Sequence, residues 1–157
     1  MEDKALLSTE EASGAEKAEL LIVIPAYNEA ENIERVVNHL TANFPQYDYV
    51  VVNDGSRDET AAICQRNGYN LLNLPVNLGL AGAFQAGLKY ADKYGYQYAV
   101  QLDGDGQHRP EYLESMIKKM EEGYDIVIGS RFVGEKKPFT MRMLGSNLIE
   151  MAIRFTT

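Results

Sequence analysis

Short apolar runs alternate along this chain with longer segments whose apolar residues recur every three or four positions, and few folds accommodate that order. The first run, LLIVIP from Leu20 to Pro25, is too short for a core helix and is closed by proline. It reads as a strand buried on both faces. Ile33, Val36, Val37 and Leu40 follow at helical spacing, behind a polar start at Asn28 and Glu29 that suits the free N–H groups of a helix entrance. Tyr49 to Val52 make a second strand closed by Asn53-Asp54-Gly55, and Ser56 to Asn67 read as a second helix. Asn70 to Leu74 form a third strand, and Ala81 to Tyr94 a third helix with Phe84, Leu88 and Ala91 on one face. Tyr98 to Leu102 form a fourth strand, and Pro110 suits the first turn of a helix striped by Leu113, Met116, Ile117 and Met120. Asp125 to Gly129 supply a fifth strand. Elements of these lengths in this order predict an α/β domain: a mainly parallel sheet with helices on both faces, holding its ligand at the carboxyl ends of the strands.

The 157 residues suffice for one domain with its own core. A hydrophobic content of 45% beside 24% charged residues is that of a globular chain. Residues 1–19 mix Glu, Lys, Ala and Ser without apolar periodicity and read as a flexible leader, leaving 20–157 as the domain. A formal net charge of -8 argues against broad contact with nucleic acid or anionic lipid, because both need clustered cations. Cys64 is the one cysteine, so an internal disulfide is excluded and a cytoplasmic setting fits. No apolar run approaches the roughly 20 residues that span a bilayer, and the acidic N-terminus lacks a signal-peptide pattern.

Three polar clusters stand where strands end: Pro25-Ala26-Tyr27-Asn28-Glu29, Asn53-Asp54-Gly55-Ser56 and Asp103-Gly104-Asp105-Gly106-Gln107. Such residues close strands in any protein. Three clusters at equivalent positions of a parallel sheet, however, converge on one edge. There an aromatic ring, several acceptors and a carboxylate pair suit a flat base, sugar hydroxyls and a metal-bound diphosphate. Asp103 and Asp105 alternate as they leave a strand and can turn two carboxylates toward one hard divalent cation, Mg2+ or Mn2+, with Gln107 adding a neutral oxygen. An EF-hand register also fits Asp103, Asp105, Gln107 and Glu114, but His108 stands where that loop needs glycine and Pro110 intrudes. His108 itself reads as a structural or solvent-exposed residue.

The segments LIVIPAYNEAENI, VVNDGSRDET, NLGLAGAFQAGL, LDGDGQH and IGSRF, in that order, resemble the inverting nucleotide-sugar glycosyltransferases of family two, with the GT-A fold. The resemblance is nearest to the polyprenyl-phosphate sugar synthases, such as dolichyl-phosphate mannose synthase and its bacterial relatives. It implies a three-layer, Rossmann-like sheet and transfer of a sugar, with inversion, from a UDP- or GDP-sugar to a polyprenyl phosphate in cell-envelope biosynthesis. It implies further that Pro25, Tyr27, Glu29 and Asp54 surround the nucleotide base, that Asp103 lies near the ribose and metal, and that Asp105 and Gln107 ligate the metal. Asp54 can accept the ring N–H of uracil or of guanine, which leaves both bases open. By the same resemblance Arg131 meets phosphate and serves catalysis beside Asp105, with Lys137 or Arg142 as a second basic residue. These late cations also read as a solvated basic turn.

Members of that family continue well past the GSR motif, so the domain is expected to be incomplete at its C-terminal side, with donor binding retained and turnover poor. Met141, Leu144, Leu148, Met151 and Phe155 form a helical stripe of a kind that packs on a core, lies on a membrane surface or pairs two copies in a homodimer. The corresponding location is the cytoplasm or the inner face of the cell membrane. Two other functions fit the same motifs, a polysaccharide-directed transferase and a noncatalytic nucleotide-sugar-binding or assembly module. Donor binding without sugar release would mark the second.

Overall fold

A computed structural model describes residues 19–104 and 109–129. Its elements are β1 (Leu20–Ala26), α1 (Ile33–Asn43), β2 (Asp48–Asp54), α2 (Thr60–Arg66), β3 (Leu71–Leu74), α3 (Gly79–Tyr94) and β4 (Tyr98–Gln101). A single 3-10 turn, Pro110–Tyr112, leads into α4 (Leu113–Glu121). The four strands pair in parallel in the order β3-β2-β1-β4, with Val23 opposite Val50 and Ile22 opposite Val100 in the register. Parallel crossovers are right-handed. The steps from β1 to β2 and from β2 to β3 run one way along the sheet and place α1 and α2 on one face. The step from β3 back to β4 reverses direction and puts α3 on the other. The reversal leaves a switch point between β1 and β4, where parallel sheets open a ligand crevice.

Side-chain alternation divides the core between those faces. Leu21, Val23, Val50 and Val52 cluster with Ala83 and Ala91 of α3. Ile22, Ile24 and Val51 point the other way, toward the side where Ile33, Val36, Val37 and Leu40 of α1 and Cys64 of α2 are buried. Every residue of β1 is buried, as a central strand covered on both faces requires. Burial raises the pKa of the Cys64 thiol, which keeps it in its unreactive form.

The structure corrects several expectations. Leu88 does not face the core: it is 41% exposed, and the buried positions of α3 are Ala83, Gly87 and Ala91. The reason is proximity. A Cβ on Gly87 would stand 2.2 Å from Val23 Cγ1, so the helix lies on β1 where only small residues fit. Asp125 to Gly129 do not form a strand, and Ile126 and Ile128 are 78% and 84% exposed. A strand exists through its ladder, and this run makes no ladder bonds among the described residues. β1 and β2 run on to Ala26 and Asp54, whereas α2 begins only at Thr60. The stretch from Ser56 to Glu59 is held as a loop by side-chain hydrogen bonds. At the entrance to α1 it is the carbonyl of Glu29, not a side chain of Asn28 or Glu29, that receives Asn32 N–H and Ile33 N–H, at 3.0 and 2.9 Å.

The sheet, its three helices and the crevice belong to one compact unit that ends at Leu113. From Glu114 on, α4 belongs to a second. Its less exposed side carries Met116, Ile117 and Met120 as expected, and its exposed side carries a Glu114–Lys118 pair at 2.9 Å.

Candidate functional site

The carboxyl edge of the sheet is built from loops that satisfy one another. Asn28 has φ 57, the one non-glycine residue with positive φ among those described, a conformation asparagine tolerates better than most. It turns the chain so that three successive N–H groups meet the β2–α2 loop. Asn28 N–H donates to Ser56 Oγ at 3.0 Å, Glu29 N–H to Thr60 Oγ1 at 2.9 Å and Ala30 N–H to Asp58 Oδ2 at 3.0 Å. In return Arg57 N–H donates to Asn28 Oδ1 at 2.9 Å. Thr60 is fully buried, and its hydroxyl donates to Asp58 Oδ1. Desolvation favours the neutral form of Asp58, but donors from the Thr60 hydroxyl, Thr60 N–H and Ala30 N–H outweigh it and hold the carboxyl below its ordinary pKa.

Asp54 and Gly55 position the opposite wall. Gly55 has φ +66, and a Cβ there would lie 2.7 Å from Asn77 N and from the carbonyl carbon of Val76. Glycine alone lets the β3–α3 loop come this close. Asp54, 3% exposed, uses that proximity: its Oδ1 accepts Leu78 N–H at 2.7 Å. Asn77 Oδ1 accepts Gly79 N–H at 3.1 Å at the start of α3. Behind them the register partners Asn53 and Asn73 join through their side-chain amides. Asp103 follows β4, its Oδ1 accepting Gln101 Nε2 at 2.8 Å.

Together these loops enclose a cleft of about 460 Å³. Pro25, Tyr27, Glu29, Asp54 and Asp103, the residues singled out for donor binding, all line it. The sequence reading missed its other wall, Asn77, Gly79, Leu80 and Ala83. The signal was present in NLGLAGA, a segment to which no role had been attached. Asp105, Gln107, His108, Arg131, Lys137 and Arg142 lie outside the described residues, so the carboxylate pair and the phosphate-binding cations stand on sequence alone.

The charge of the cleft is informative. Glu29, Asp54 and Asp103 line it, and no Lys or Arg does among the described residues. A diphosphate entering three carboxylates is repelled unless a cation accompanies it. The donors fit a hard divalent ion, being carboxylate oxygens. Among the described residues no three His, Cys, Asp or Glu form a complete ligand set.

A family model described as Glycosyl transferase family 2 matches residues 21–156. The chain is 34% identical over 119 residues to a protein named polyprenol monophosphomannose synthase from Mycolicibacterium smegmatis, a match covering 72% of this chain and 45% of that one. It is likewise 34% identical over 119 residues to one named undecaprenyl-phosphate mannosyltransferase from Micrococcus luteus, covering 73% and 49%. Among solved structures it is similar to S. aureus TarS 1-349 in complex with UDP-GlcNAc, with a TM-score of 0.52, 26% identity and coverage of 78% and 37%. The mannosyltransferase PcManGT from Pyrobaculum calidifontis, in complex with GDP-Man and Mn2+, shares the fold at a TM-score of 0.53, 21% identity and coverage of 66% and 32%. The chain spans about half the length of the curated relatives it matches.

Proposed function

The chain belongs to glycosyl transferase family 2, and from that premise we propose that it takes part in metal-dependent transfer of a sugar from a nucleoside-diphosphate sugar to a polyprenyl phosphate, with inversion at the anomeric carbon. The observation that carries this reading is the convergence of Pro25, Tyr27, Glu29, Asp54 and Asp103 on one cleft at the carboxyl edge of a parallel sheet. Tyr27 and Asp54 receive the base, and Asp103 lies toward the ribose and diphosphate. Asp103, with Asp105 and Gln107 beyond the described residues, would hold Mg2+ or Mn2+. When bound, that ion offsets the diphosphate charge and stabilises the nucleotide as it leaves.

The names of the mycobacterial and Micrococcus relatives support a polyprenyl phosphate acceptor. An acceptor phosphate is already anionic near neutral pH. It therefore needs less help from a general base than a sugar hydroxyl would, and its oxygen attacks the anomeric carbon opposite the departing diphosphate. Arg131, with Lys137 or Arg142, meets the acceptor phosphate, since a guanidinium fork matches phosphate oxygens. A lipid acceptor places the chain in the cytoplasm at the inner face of the membrane. The sequence stripe from Met141 to Phe155, which lies outside the described residues, suits membrane contact or a second copy. The test is calorimetric titration of nucleoside-diphosphate sugars with and without manganese, followed by transfer of labelled sugar to a short polyprenyl phosphate and assignment of the product's anomeric configuration. Donor binding indifferent to metal, or a retained configuration, would contradict it.

A further inference from the structure

A second cavity, of about 340 Å³, lies on the α1 side of the sheet and shares no lining residue with the donor cleft, which α3 lines. Its charge has the opposite sense. Arg35 and His39, one helical turn apart on α1, meet Arg109 from the segment after β4, and Glu111 is the one carboxylate among the described lining residues. Arg109 and Glu111 are both exposed and form no ion pair with each other. His39 is oriented by its neighbours. Asn43 Nδ2 donates to the His39 carbonyl at 2.8 Å and lies 3.1 Å from Nδ1, which makes Nδ1 an acceptor and leaves Nε2–H as the ring's donor. Below these groups the floor is apolar, made of Val36, Leu102 and Pro110, all buried.

We infer that this cavity binds the phosphate group of an organic phosphate monoester. Two guanidinium groups and an imidazole N–H supply donors from α1 and from the segment opposite it. A tetrahedral phosphate has three terminal oxygens to meet them, where a carboxylate has two. The volume lies within the range of small-molecule sites and exceeds what a bare phosphate ion fills. The remaining space lies over Val36, Leu102 and Pro110, so the ester's organic part is apolar where it meets the floor. The donor cleft is no rival for such an anion without a metal, since three carboxylates line it.

The experiment is calorimetric titration of inorganic phosphate and of butyl phosphate into this chain in the absence of divalent metal. Butyl phosphate is expected to bind about tenfold tighter, through the carbons it lays on the floor. Arg35→Gln and Arg109→Gln should each lose about tenfold or more. Arg66→Gln, which removes the same charge from an exposed pair with Glu59, should lose nothing. Glu111→Gln is the sharper arm. It removes the carboxylate that repels the anion, so binding should tighten several-fold, a change that a loss of stability cannot produce. Sedimentation with vesicles of phosphatidic acid or of phosphatidylcholine separates the sources of the group. Capture by phosphatidic acid alone, lost in Arg109→Gln, assigns a membrane lipid, and absence of capture beside butyl phosphate binding assigns a soluble ester. Inorganic phosphate binding as tightly as butyl phosphate overturns the ester. An Arg109→Gln protein that binds like its parent, a Glu111→Gln protein that binds more weakly, or no binding of either phosphate overturns the site.

Discussion

Substituting Gly87 by alanine should destabilise the protein although it improves helix propensity. Alanine is favoured over glycine in a helix interior by about 1 kcal/mol. Against this, the added Cβ would stand 2.2 Å from Val23 Cγ1, 2.8 Å from Cγ2 and 3.1 Å from Cβ, where carbons ordinarily approach to about 3.5–4.0 Å. Val23 cannot yield easily: it is fully buried on the central strand and β-branched, with few rotamers to choose from. The helix must lift instead, opening gaps around Ala83 and Ala91 in the same cluster. Overpacking of this kind costs about 1–3 kcal/mol, and a 2.2 Å approach belongs at the upper end, so the net loss is about 1–2 kcal/mol after the propensity gain. Urea unfolding should show a lower midpoint at unchanged slope. In Val23→Ala the clashing methyls are gone, so Gly87→Ala should cost far less in that background, a favourable coupling in the double-mutant cycle. Lifting α3 also displaces Leu80 and Ala83 from the cleft wall, so donor affinity should fall with stability. A Gly87→Ala protein as stable as its parent, or additive effects in the cycle, would refute the close-packing account.

Thr60→Val keeps the shape of the side chain but deprives Glu29 N–H of its acceptor and Asp58 of a donor, and should cost about 1–3 kcal/mol in urea unfolding. The folded-state pKa of Asp58 is depressed, so its contribution is present above the ordinary carboxylate value of about 4 and is lost as pH falls through the lower folded value. Asp58→Asn should flatten that part of the acid-unfolding profile while lowering stability at neutral pH. Asp103→Asn should weaken manganese-dependent donor binding about tenfold or more in calorimetry while leaving the fold intact, since the new amide can still accept from Gln101. Unchanged metal dependence would remove Asp103 from the metal site.

Much of this molecule was legible because its signals are local. Each short apolar run up to Gln101 is a strand, and in a parallel sheet the strand ends must share an edge, so residues as distant as Tyr27 and Asp103 are assigned to one cleft by sequence order alone. What escaped depends on approach distances. The period of large apolar residues favoured Leu88 as inward-facing, but the helix packs so closely that Gly87 and Ala91 take the inner positions. The wall formed by Asn77 and Leu80 exists because Gly55 admits the loop from the far side of β2, a contact no spacing announces. The run from Ile126 to Ile128 has strand composition and is not a strand, because a ladder needs a partner that composition cannot supply.

The interlocked loops at residues 28–30 and 56–60 bear on how such a protein can be altered. Surface loops ordinarily absorb insertions. Here the backbone of one segment is read by side chains of the other, position by position, so a residue added to either slides every donor past its acceptor. Neither loop can change length alone. Sequence drift at this edge should therefore proceed by paired changes, and a graft meant to move the donor preference of one glycosyltransferase onto another should transplant both loops as a matched set.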